Sequence, residues 1–126
     1  MGYPKWIKPL FLIAALYDGI LGVMFLSIPL KVFALANVAP PNHIGYVQFP
    51  ACLLIIFALM FFRIAEDPFK NRDLIIYGVM LKTSYCAVIF LHWIVQNIPL
   101  IWVPFAFFDL AFLVIFMIAN RILHKV

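Results

Sequence analysis

The sequence predicts an all-α membrane protein, a four-transmembrane-helix up-down bundle with both termini cytoplasmic. Three observations carry this expectation. Of the 126 residues, 67% are hydrophobic and 11% charged, whereas a soluble domain is about half apolar and a quarter charged. The apolar residues gather into four runs of about 20, each long enough to cross roughly 30 Å of hydrocarbon. The basic residues collect at the ends of those runs and, with one exception outside the apolar interiors, on one side. A chain of this length needs only one domain, so residues 1–126 are read as a single transmembrane unit.

Met1 to Pro9 is a polar lead whose Lys5, Lys8, Tyr3 and Trp6 suit the headgroup level. The first span covers about 10–28. It has no small-x-small cleavage site and is too long for a signal-peptide core, so it is read as retained. Pro29 ends it, because proline lacks the amide donor and clashes with the preceding turn. Leu30 to Ala36 then reads as a short interfacial helix, and Ala39 to His43 as a turn. The second span covers about 43–65, with Asn42 as its N-cap and a bend where Pro50 frees the carbonyl of Tyr46. The charged loop that follows holds Arg63, Glu66, Asp67, Lys70, Arg72 and Asp73, and Pro68 stops a helix from running through it. The third span covers about 73–96, with Asn71 or Asp73 near its cap. After a tight turn at Asn97 to Pro99, the fourth covers about 99–119, with Pro104 as a second bend.

Short connections make successive helices antiparallel neighbours. Lys5, Lys8, Arg63, Lys70, Arg72, Arg121 and Lys125 then fall on one side and Lys31 alone on the other. This bias makes both termini cytoplasmic by the positive-inside rule. The expected setting is a bacterial-type inner or plasma membrane. The basic residues form no cluster that would suit nucleic acid.

Three charges interrupt the apolar runs: Asp18 in LYDGIL, Lys82 in VMLKTSY and Asp109 in FFDLAF. A charge at bilayer centre costs roughly 3 kcal/mol or more, so such residues turn inward and pair. Asp18 lies ten residues from Lys8, Lys82 ten from Arg72, and Asp109 twelve from Arg121. At about 1.5 Å per residue, all three fall roughly 15 to 18 Å deep, at one level. Two Asp against one Lys leave a formal charge of −1, which a proton or a bound cation would balance.

Along the third span, Gly78, Lys82, Tyr85, Ile89, His92 and Gln96 are spaced four, three, four, three and four, which is one helix face. This stripe predicts a polar route from the midplane to the outer surface. Tyr17 and Gly22 join it from the first span, Gln48 and Cys52 from the second. Gly19 and Gly22 let helix backbones approach closely. The candidate ligand- or ion-binding residues are therefore Asp18, Lys82, Asp109, Tyr17, Tyr85, His92 and Gln96.

Other residues have plainer readings. Cys52 and Cys86 are small buried hydrophobes, far apart and without metal-ligand spacing. His43 and His124 are interface residues, and Trp93 and Trp102 outer aromatic anchors. No nucleophile elbow, P-loop, HExxH or dinucleotide fingerprint occurs, so nothing points to a hydrolase, a non-enzymatic role is favoured over catalysis, and no metal or cofactor is assigned.

The opening pattern LYDGILGVMFLSIPLKVF, with the step Gly22-Val-Met-Phe25 and the Pro29/Lys31 break, resembles DoxX-like small membrane proteins. The resemblance implies the four-helix layout. That family is functionally mixed and includes proposed redox accessory subunits; Lys82 and His92 match no motif of it, so no functional residue is carried over. The residues themselves point to a membrane protein that binds or passes a small ligand, proton or ion at the Asp18–Lys82–Asp109 level. The rivals are an accessory subunit, whose polar set specifies assembly with a membrane-complex partner or a second copy, and a redox protein handling a quinone or haem near His92.

Overall fold

A computed structural model describes residues 2–126. Its elements are α1 (Ile7–Ser27), α2 (Pro29–Leu35), α3 (Gly45–Glu66), a 3₁₀ turn (Arg72–Leu74), α4 (Ile75–Val95) and α5 (Trp102–Lys125). No strand occurs among the described residues. The helices α1, α3 and α5, and α4 together with its 3₁₀ turn, are each long and apolar enough to cross a membrane. Their outward faces carry large apolar side chains, such as Ile94 and Leu59, 82% and 62% exposed. These features mark a small integral membrane protein.

The helix ends differ from the sequence reading for local reasons. The first span begins at Ile7, so Pro9 lies inside its first turn, where an amide has no intrahelical partner and proline costs nothing. The same holds for Pro104, the third residue of α5; it sits where a bend is not required. No Gly or Pro follows in that helix, and it runs on to Lys125. The N-cap of α3 is Ile44 rather than the expected Asn42, and beside it His43 Nδ1 accepts the Gly45 amide at 3.0 Å. Asn71 stands at the N-cap position of the 3₁₀ turn that opens the third span, but its side chain makes no cap bond there. Asn71 turns back instead and donates to the Arg63 carbonyl at 2.8 Å and the Asp67 carbonyl at 3.2 Å, closing the end of α3. The short α2 stops at Asn37, whose φ of 56° is left-handed. Asparagine tolerates that region, and the Val38 amide then returns to the Phe33 carbonyl at 3.0 Å.

The helices associate as two tight pairs, α1 with α3 and α4 with α5, while α3 and α4 approach each other little. Lipid is as apolar as leucine, so such pairs depend on close fit rather than on burial from water. Gly22 supplies that fit between α1 and α3. A Cβ there would lie 2.8 Å from the Ala51 carbonyl oxygen and 2.8 Å from Ile55 Cγ1. The Gln48 side chain adds a polar tie, its Nε2 donating to the Leu26 carbonyl near the end of α1 at 3.4 Å. Between α4 and α5, the Tyr85 hydroxyl donates to the Trp102 carbonyl at 3.0 Å and the Cys86 thiol to the Ala106 carbonyl at 3.4 Å.

The two halves of the molecule are packed differently. Near the charged loop and both chain ends, Ile7, Phe11, Phe61, Ile64, Ile75, Phe116 and Leu123 form a core with 0% exposure. Phe11 stacks on Phe116 at 4.9 Å between centroids, and Phe61 meets Phe116 at 5.2 Å. Gly78 makes room for Phe61: a Cβ on it would fall 2.5 Å from Phe61 Cε1. His124 of α5 pairs with Asp73 at 3.2 Å beside this core. Toward the other end, a smaller cluster gathers Phe25, Val32, Phe33 and Ala51, with Trp102 packed against it.

Candidate functional site

Asp18, Lys82 and Asp109 meet between the two halves. Each lies on the buried stripe of its helix: Asp18 follows Phe11, Ala14 and Ala15 on α1, Lys82 follows Ile75 and Gly78 on α4, and Asp109 follows Ala106 on α5. Lys82 Nζ donates to Asp18 Oδ1 at 2.8 Å and to Asp109 Oδ1 at 3.1 Å. The lysine and Asp18 are 1% exposed and Asp109 is 7% exposed. The ammonium also sits 5.2 Å from the Phe112 ring centroid, 5.3 Å from Tyr17 and 5.8 Å from Phe61. Ring faces at this range attract a cation, the more so when it is desolvated. Lys82 is thus fully engaged by two carboxylates and three rings.

The acids are not. Asp18 Oδ2 and the Tyr17 hydroxyl are buried without a hydrogen-bond partner. A buried polar atom left unpaired costs about 1–3 kcal/mol, and more when it is charged. The cluster carries a formal −1.

A cavity of about 850 Å³ adjoins it. Tyr17, Asp18 and Asp109 line its polar end, and Phe25, Phe33 and Trp102 its apolar end. The side wall is the gap between α3 and α4, where Leu53 and Val88 line the cavity and are 38% and 53% exposed. Ser84, also exposed, stands at the same mouth. Below the charged level, the Phe11–Phe61–Phe116 core closes the molecule.

Of the residues singled out from the sequence, Tyr17, Asp18, Lys82 and Asp109 are brought together. Tyr85 lines the cavity, but its hydroxyl proton is committed to Trp102. His92 and Gln96 are not brought to the cluster. The buried residues of α4 end at Cys86, and both side chains lie exposed beyond it. The expected polar stripe is therefore a single face whose outer part has no helix packed over it. Trp102 turns part of its surface inward. It is half-buried and stacks on Phe25 at 5.8 Å. Its part in the cavity, with Phe25 and Phe33, has no signature in spacing, because it depends on how α2 folds back. Among the described residues, no group of three His, Cys, Asp or Glu side chains is placed to hold a metal ion.

Comparison with models of known protein families, with curated proteins and with solved structures finds no match. The functional reading rests on the geometry.

Proposed function

We propose that this chain is a non-catalytic membrane protein that binds a small ligand in the cavity above the Asp18–Lys82–Asp109 cluster. The four spans form an up-down bundle with both termini cytoplasmic, in a bacterial-type inner or plasma membrane. The DoxX-like resemblance stands beside this reading on the opening helix and the four-span layout alone. One observation carries the binding role: Asp18, 1% exposed, is among the residues lining the cavity, and its buried Oδ2 has no hydrogen-bond partner in the protein. A tie between helices would need the Lys82 pairs and no more. It would need neither a surplus carboxylate nor an adjoining cavity. Conduction is the weaker alternative, because the 0% exposed phenyl rings below the cluster leave no polar route onward.

The accessory-subunit reading retains one argument of its own. The cluster joins α1, α4 and α5 through a single ammonium, which is what an assembly-specifying device would do. Native mass spectrometry of the protein released from nanodiscs separates the two. Binding predicts a small-molecule adduct that is lost in Ser84→Phe, a change at the mouth that leaves the core untouched. A bare wild-type mass, with a second protein retained instead, would favour the accessory role.

A further inference from the structure

We infer that the ligand is a single-chain amphiphile with a protonated amine head, taken up sideways from the lipid between α3 and α4. This rests on the binding reading above and gives it a chemical class. The head is set by the polar end of the cavity. Two carboxylates face one ammonium at 2.8 and 3.1 Å, which leaves the cluster a formal charge of −1 when both are ionised. Asp18 Oδ2 and the Tyr17 hydroxyl are both unpartnered and both belong to residues lining this end. An alkylammonium has three N–H donors and one positive charge. It brings the donors that such acceptors lack, and its charge balances the cluster. An alcohol brings one donor and no charge. A carboxylate brings a like charge into a buried site, where repulsion is strongest.

The tail is set by the rest of the lining. Beyond the acids the walls are aliphatic and aromatic, ending at Phe25, Phe33 and Trp102. A cavity of about 850 Å³ is in the range that houses whole small molecules. The route is set by the mouth. Leu53 and Val88 border it and present apolar surface at the level of the spans, where an alkyl chain already resides.

Trp102 provides the readout. A protein with Trp6→Phe and Trp93→Phe keeps one indole, at the apolar end of the cavity. In nanodiscs, this protein is titrated with dodecylamine, dodecanol and dodecanoate carrying a terminal bromine, which quenches tryptophan on contact. We expect the amine to quench at least tenfold more tightly than either rival. Asp109→Asn removes the surplus charge and keeps an oxygen for Lys82; it should bring the amine down to the level of the alcohol. Ser84→Phe should weaken quenching by every chain that binds. Equal affinity for amine and alcohol, or a preference for the carboxylate, with Ser84→Phe still blocking, would overturn the cationic head and leave the site standing. Quenching by none of the three in a Ser84-dependent manner would overturn both. If Asp109→Asn does not fold, the selectivity of the unmutated site among the three probes still decides.

Discussion

Lys82 Nζ and Asp18 Oδ1 lie 2.8 Å apart although 64 residues separate them along the chain. The pair is buried, and its lysine is shared with Asp109, so the three charges stand or fall together.

Lys82→Met leaves two carboxylates beside each other with no cation. Removing one partner of a buried ion pair costs about 3–5 kcal/mol. Adding Asp18→Asn and Asp109→Asn removes the stranded charges, so the triple variant should recover most of the loss. Unfolding by sodium dodecyl sulfate, followed by circular dichroism, measures this. A triple variant no more stable than Lys82→Met would show that the charges do not depend on one another.

Gly78→Ala should destabilise by about 1–3 kcal/mol, the usual cost of overpacking. The new methyl meets Phe61 Cε1 at 2.5 Å, and that ring is fully buried against Phe11 and Phe116. Phe61→Leu in the same protein should return part of the loss. Equal stability of Gly78→Ala and wild type would mean that the aromatic core is looser than described.

Gly22→Ala and Gly19→Ala should differ in sign or size. At Gly22 the added atom meets the Ala51 backbone oxygen at 2.8 Å, which no rotamer change relieves. At Gly19 it meets Ala58 Cβ at 3.5 Å, an ordinary contact. We expect Gly22→Ala to lower the melting temperature and Gly19→Ala to leave it unchanged or raise it. Matching melting curves would contradict the close approach of α1 and α3.

Reporter fusions test orientation. The basic residues outside the span interiors, Lys31 excepted, sit at the end where the charged loop and both termini gather. A fusion at Val126 should report the cytoplasm, and one near Asn42 the opposite side. A cytoplasmic Asn42 would reverse the assignment.

The convergence of Asp18, Lys82 and Asp109 is legible in the sequence because depth along a helix is a count of residues at about 1.5 Å each. So is the inward turn of those charges, which hydrocarbon enforces. The fate of His92 and Gln96 is not legible. Their spacing fixes the face of α4 they share with Lys82, but not where the neighbouring helix ends its cover. The same limit applies to Trp102. An aromatic residue near a span end reads as an anchor, yet α2 folds Phe33 to within 5.9 Å of it and turns it inward. The proline expectations divide on local grounds. Pro29 does end α1, whereas Pro104 falls in the first turn of α5, where a missing amide changes nothing.

The unequal packing of the two halves separates the demands on the sequence. Side chains of the phenyl-filled half are held by neighbours on all four long helices, and little can change there without a compensating change nearby. The hollow half rests on fewer mutual contacts. Its wall positions, Leu53, Ser84 and Val88 among them, face space or lipid rather than one another. Drift at these sites reshapes the chamber and leaves the scaffold intact. Descendants of one ancestral chain can therefore diverge in what they accommodate while keeping the same anchored base.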